Sequence, residues 1–134
     1  MKEDITNIQI RFSDIDWMGH VNNATYLTYF EIARLEYFQR SGLVIDWKNI
    51  GFILARTEIN YLKPVLLNDK LEIKTYCSHI GSKSFSLSHS LLINNETIYE
   101  AANAQTVLVC YNYATSQSET IPDPWIHFLK KELK

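Results

Sequence analysis

Arg11-Phe-Ser-Asp-Ile-Asp-Trp-Met-Gly-His-Val-Asn-Asn-Ala-Thr-Tyr-Leu-Thr-Tyr-Phe-Glu-Ile-Ala-Arg34 sets two aspartates, a glycine, a histidine and two asparagines at the entrance of the chain's longest helical pattern. Turn formers crowd residues 13–22, and Asn22 or Asn23 suits the N-cap position. No Gly or Pro follows until Ser41-Gly42, which supplies a stop. At 100° per residue Tyr26, Tyr29, Phe30, Ala33 and Tyr37 share one stripe, while Leu27, Ile32, Leu35 and Phe38 lie away from it. A helix apolar over so much of its circumference is expected to be central and largely enclosed. Glu31 and Arg34, three apart, are expected to pair, because an unpaired buried charge is costly.

Outward from this helix the pattern is strands. Ile8, Ile10 and Phe12 alternate with Gln9, Arg11 and Ser13, the period-two signature of a half-buried first strand. After a connection from Leu43 to Gly51 that carries Trp47, alternation runs from Phe52 to Lys63 and closes at Pro64. Further strands are expected over Leu71 to Ser78, Phe85 to Ile93 and Thr97 to Asn112, separated by Gly81-Ser82-Lys83 and Asn94-Asn95-Glu96. Pro122-Asp123-Pro124 opens a short closing helix with Trp125, Phe128 and Leu129 at helical spacing. One strand, one helix and a four-strand antiparallel run give an α+β class, with a curved sheet wrapped around the helix.

A chain of 134 residues fits a single domain, 1–134, that can bury a core without metals or disulfides. Its formal net charge of -2, with charges well mixed, leaves no basic stripe for nucleic acid and no polybasic membrane patch. A small anionic ligand can still be held by a few local Lys and Arg residues. Cys77 and Cys110 lie inside strand patterns, which suits buried free thiols in a reducing compartment. No apolar run approaches the ~18 residues of a membrane span, so a cytoplasmic location is expected. The four histidines are too scattered for a metal cluster, and no cofactor is expected.

Residues 14–23 precede a helix N-terminus, where backbone N–H groups lack internal partners and the macrodipole favours negative charge. Such a place receives a developing oxyanion, and a nearby carboxylate can serve as general base or nucleophile toward an acyl carbon. Asp16, deeper in the turn, is the better candidate for that carboxylate. Asp14 is read as shaping the loop by bonding backbone amides. His20 is assigned acid/base or orienting help, against the alternative of a satisfied loop histidine. Asn22 and Asn23 read as caps, so the backbone N–H of Asn23 matters more than its side chain. Gly19 permits close approach or a positive φ, and the tyrosine stripe, Tyr26 included, is core or ligand wall.

These residues resemble the hotdog-fold acyl-CoA thioesterases of the 4-hydroxybenzoyl-CoA thioesterase type. The likeness rests on Arg11-Phe-Ser-Asp-Ile-Asp-x-x-Gly-His-Val-Asn-Asn-x-x-Tyr-Leu-x-Tyr-Phe-Glu-x-Ala-Arg34, on Glu58-Ile-x-Tyr-Leu-Lys-Pro64, and on Asp69 opening a strand. It implies a five-stranded antiparallel sheet around one long helix, two chains pairing into a continuous sheet, and active sites at their interface. It implies that Asp16 is the catalytic carboxylate and that the thioester oxygen is received near Asn23. The string also resembles plant-type acyl-carrier-protein thioesterases, but Met18 stands where their Asp-x-Asn-x-His arrangement has asparagine, which weakens a catalytic role for His20. The substrate implied is an acyl-CoA or acyl carrier protein, with Arg56, Lys63 and Lys83 as candidates for the CoA phosphates and Gly19, Tyr26 and Glu58 at the binding site. Lys83, in the Gly81–Ser84 turn, ranks first among the cations. Two other activities fit the same fold: a hydratase or dehydratase using His20 with Asp16, and a non-catalytic acyl-thioester binder.

Overall fold

The computed structural model describes residues 4–46 and 48–134; Trp47 lies outside the described residues. The elements are β1 (Asp4–Ile8), a single 3-10 turn at Phe12–Asp14, α1 (Thr25–Arg40), β2 (Ile50–Tyr61), β3 (Leu71–Ile80), β4 (Ser84–Asn94), β5 (Ile98–Asn112), β6 (Gln117–Ser118) and α2 (Asp123–Glu132). They form a mixed α+β structure with two helices and one antiparallel sheet. Five strands run in the order β1-β3-β4-β5-β2, and the two-residue β6 pairs with β5 as a sixth. The sequence leads to an expected count of five, because a two-residue strand leaves no periodicity to read. The strand after the helix also crosses to the far edge beside β5, so only β3, β4 and β5 form a consecutive meander.

The first strand sits earlier than the alternation of Ile8 to Phe12 implies. Asp14 accepts the Arg11 backbone N–H at 3.0 Å, which diverts that donor from any ladder and turns the chain. Phe12 is 84% exposed as a result.

The helix is also less enclosed than expected. Tyr26, Tyr29, Phe30, Ala33, Arg34, Tyr37 and Phe38 are buried, while Leu27, Ile32 and Leu35 are exposed. It packs chiefly on β1 and β3, where Arg40 pairs with Asp4 and donates to Thr6. The flank turned away from β1 is left open. Glu31 and Arg34 make no ion pair: Arg34 is buried with its basicity lowered by burial, and Glu31 acts on it only at longer range. The stop at Ser41-Gly42 is present, with Gly42 at φ +75 taking the left-handed conformation that ends the helix.

Two apolar clusters fill the space between α1 and the sheet. One gathers Tyr26, Tyr29 and Phe30 over Leu71, Ile73, Leu91 and Ala102. The other joins Tyr37, Phe38 and Phe52 to Phe85, Trp125 and Leu129 of α2. Within it Phe38 and Trp125 meet edge to face with ring centroids 5.5 Å apart, a geometry worth roughly 0.5–1.5 kcal/mol beyond area burial. Both cysteines are buried free thiols, and burial pushes Cys77 up to about 11. Among the described residues no helix is long and apolar enough to cross a membrane.

Candidate active site

The turn between β1 and α1 is built by two aspartates with separate duties. Asp14 is 3% exposed and accepts three hydrogen bonds: the Arg11 amide, the Arg11 guanidinium at 3.1 Å and the Tyr29 hydroxyl at 2.7 Å. Burial pushes its carboxyl up, but the Arg11 amide, the Tyr29 hydroxyl and the Arg11 charge together hold it below the usual range. All of its bonding capacity goes to scaffolding, as its expected loop-shaping role requires.

Asp16 is half-buried, and its Oδ1 accepts the backbone N–H groups of Met18 at 2.9 Å and His20 at 3.1 Å. Its own N–H donates to the His20 carbonyl at 2.7 Å, and the Gly19 N–H donates to the Asp16 carbonyl. Those bonds need Gly19 at φ +84, a conformation that glycine adopts without strain. Open space surrounds the position of a Cβ there, so no other part of the chain approaches it closely and the turn's requirement on Gly19 is conformational. The second carboxylate oxygen, Oδ2, accepts no hydrogen bond from any described residue.

Asp16 lines a cleft of about 220 Å³ with His20, Val21, Asn23, Tyr26, Tyr61, Leu62, Lys63 and Pro64. Opposite the carboxylate is the approach to α1. The Asn22 side chain accepts the Ala24 N–H at 2.9 Å, and its carbonyl accepts the Thr25 N–H. Asn22 thus caps the turn before the helix, while Ala24 occupies the N-cap position itself. The Asn23 N–H donates to no described acceptor, and its carbonyl accepts the Tyr61 hydroxyl at 3.0 Å. The peptide is held from one side and its donor left free. Tyr61 also meets the Tyr26 ring edge to face at 4.9 Å, and burial, followed by the neighbouring Tyr61, raises the Tyr26 phenol above its ordinary value.

Of the residues singled out in the sequence, Asp16, His20, Asn23, Tyr26 and Lys63 therefore share one cleft, whereas Gly19 belongs to the adjoining turn and does not line it. Arg56 and Glu58 do not line it; they lie exposed on β2 and pair with each other at 3.7 Å. Lys83 is remote within the chain. Its carbonyl accepts the Cys110 N–H, and Cys110 pairs with Phe52, whereas the cleft is at the Tyr61 end of β2, opposite Ala102. Tyr61, Val21, Leu62 and Pro64 are lining residues that the sequence reading does not single out. Tyr61 carries a signal all the same: a phenol at the end of a strand, three residues before the proline that closes it. Among the described residues no group of His, Cys, Asp and Glu is arranged to hold a metal ion.

A family model described as the thioesterase-like superfamily matches residues 10–129. The long-chain acyl-CoA thioesterase FadM of Escherichia coli is 32% identical over 116 residues, spanning 84% of this chain and 86% of that protein. YsmA of Bacillus subtilis is 33% identical over 82 residues, spanning 61% of this chain and 56% of that protein. A thioesterase from Thermus thermophilus, solved with coenzyme A and Zn, is similar in structure with a TM-score of 0.82 and 31% identity, over 95% of this chain and 91% of that one.

Proposed function

Because the chain belongs to the thioesterase-like superfamily, we propose that it is an acyl-CoA thioesterase, a single hotdog domain whose sheet curves around α1. The observation that carries this reading is the unbonded Oδ2 of Asp16 sharing a cleft with the free N–H of Asn23 at the start of a 16-residue helix. Water attacks the thioester carbonyl carbon as its proton passes to Asp16, or Asp16 attacks first and water cleaves the resulting anhydride. In either course the tetrahedral oxyanion accepts a hydrogen bond from Asn23 N–H, with the helix dipole behind it. The C–S bond then breaks, and the CoA thiolate leaves and takes a proton. His20, in the same cleft, orients the water or the carboxylate.

Lys63 at the cleft supplies a cation for the CoA phosphates. Arg56 on the free edge of β2 and Lys83 at the far end of the sheet reach a cleft only from a second copy. An antiparallel homodimer through β2 brings opposite ends of two sheets together, and this is the assembly we propose. The buried free thiols suit a reducing cytoplasm.

The test is a panel of short, medium, long and aromatic acyl-CoA substrates with free thiol followed over time. Thiol release lost in a folded Asp16→Ala variant supports the reading, and wild-type turnover in that variant overturns it. Water addition to an enoyl-CoA without thiol release would identify a hydratase working through His20 and Asp16. Binding without reaction would identify an acyl-thioester binder.

A further inference from the structure

Trp17, next to Asp16, is 99% exposed, and Met18 is 71% exposed. This is not a loose tip. The turn that bears them is fixed by the amides of Met18 and His20 on Asp16 Oδ1 and by the Asp16–His20 and Gly19–Asp16 backbone bonds. A large indole held rigidly in water presents apolar surface without cost in lost flexibility, which is the property of an anchor residue.

An apolar cleft lies at the other end of the molecule. It is formed by Leu43, Val44, Ile50, Phe52, Pro124 and Trp125, has a volume of about 320 Å³, and carries Asp46 on its rim. That volume is at the lower end of small-ligand pockets, roughly 300–1,000 Å³, and suits a bicyclic ring. The Asp46 carboxylate accepts only the Lys48 N–H and the Asn49 side chain and has no cationic partner among the described residues. A buried indole N–H requires an acceptor, and a carboxylate at the rim supplies one.

The edge strand β2 relates the two features. Among the described residues it pairs as a strand only with β5, and apart from an isolated bridge between Ile50 and Asp46 its other edge is free over residues 51–61. A two-fold pairing of that edge with full overlap sets Tyr61 opposite the partner's Ile50, Ile59 opposite the partner's Phe52 and Thr57 opposite the partner's Leu54. Strand faces alternate with a period of two, so such odd-sum pairs would normally set inner faces against outer ones. The irregularity between Leu54 and Arg56 adds one residue and restores the match. Ile59, Thr57, Leu54 and Phe52 all stand opposite inward positions of β5, and in this register they meet face to face. The pairing lays the Asp16 cleft, with Trp17 on its turn, beside the partner's Phe52 end.

We infer that Trp17 of one copy docks in the Leu43–Phe52–Trp125 cleft of a second copy, its N–H on Asp46, so that dimer formation clamps the turn that carries Asp16. This rests on the homodimer reading given above. The occupant is a second copy because the edge geometry delivers an indole of fitting size to the cleft twice per dimer.

The experiment uses the full chain with Trp17→Cys and Val44→Cys, alone and combined, under mild oxidation; Cys77 and Cys110 are buried and stay in place. The combined variant is expected to give a covalent dimer on a non-reducing gel, as are the two single variants when mixed, with neither single variant linking by itself. Sedimentation of Trp17→Ala is expected to show dimer dissociation at least tenfold stronger than in the wild type. A disulfide within one chain, or no link in a protein that sediments as a stable dimer, overturns the docking and leaves the homodimer standing. An unchanged dissociation constant in Trp17→Ala does the same. A wild-type monomer overturns both. If fatty acid abolishes the link while the dimer persists, the cleft takes acyl chains and the docking fails. Thiol release in the substrate panel is read separately, so loss of the hydrolase reading remains distinct from each of these results.

Discussion

The Tyr29 hydroxyl donates to Asp14 Oδ2 at 2.7 Å, tying the buried face of α1 to the turn that precedes it. This bond fixes where the helix starts relative to Asp16, and it joins a neutral donor to a buried charge. Tyr29→Phe is expected to cost about 1.5–3 kcal/mol, the range for hydrogen bonds to charged groups. Asp14 has a depressed pKa in the folded state, so its contribution is present above the unfolded carboxylate value and is lost as pH falls through the folded value. Denaturant titrations across the acid range will show the Tyr29→Phe penalty shrinking over that window.

Asp16 has one oxygen committed to the turn and one free. Asp16→Asn keeps an acceptor for the Met18 and His20 amides while removing the charge. Turnover of an acyl-CoA is expected to fall by about 10²-fold or more, as for loss of a positioned base, with the melting temperature nearly unchanged. Asp16→Ala should lose turnover and also lower the melting temperature. Thermal scans beside the thiol assay separate the two effects.

Tyr61 orients the Asn23 peptide through its carbonyl. Tyr61→Phe removes that bond and keeps the ring packing on Tyr26. We expect kcat to drop several-fold with little change in KM, since the peptide's donor acts on an oxyanion formed only in the transition state. Steady-state kinetics will check this. A rise in KM at constant kcat would place Tyr61 in substrate binding instead.

His89 is buried between Thr75 Oγ1 at 3.0 Å and Thr106 Oγ1 at 3.1 Å, against the Phe30 ring. Burial, and secondarily the Arg34 charge, lowers its pKa to about 3. The folded value lies below the unfolded one of about 6.5, so protonation favours the unfolded chain. Stability is therefore full above the unfolded value and declines as pH falls from there toward the folded one. In His89→Gln that acid slope should be reduced, which chemical denaturation at stepped pH will measure.

The Tyr37 hydroxyl is buried with no hydrogen-bond partner among the described residues. Removing an unsatisfied buried polar group relieves a desolvation cost of about 1–3 kcal/mol. Tyr37→Phe is accordingly expected to raise stability by about 1 kcal/mol, read as a higher denaturation midpoint at unchanged slope.

Much of this was legible because it is local. Alternating side chains mark β3, β4 and β5 to within two or three residues, and the Ser41-Gly42 stop ends α1 where expected. The pairing of Asp14 and Asp16 in one turn, with different bonding, also follows from short-range chemistry: the backbone amides that each carboxylate accepts lie within four residues. Arg11 to Phe12 reads as strand only while the reach of the Asp14 carboxylate to the Arg11 amide is ignored. The expected Glu31–Arg34 pair shows the opposite limit. Spacing allows it, but the packing that buries Arg34 leaves Glu31 exposed in water.

The sequence by itself therefore determined the class of fold, the polar turn ahead of a helix and the aspartates that bond its backbone amides, since propensity and nearest-neighbour bonding need no distant contact. Tertiary structure alone decided that β2 crosses to the far edge, that Tyr61 arrives to hold Asn23, and that Lys83 stands at the other end of the sheet. Those outcomes depend on which strands pair across tens of residues. Strand order is set by the summed burial of both faces, a property of the assembled core that no local pattern carries.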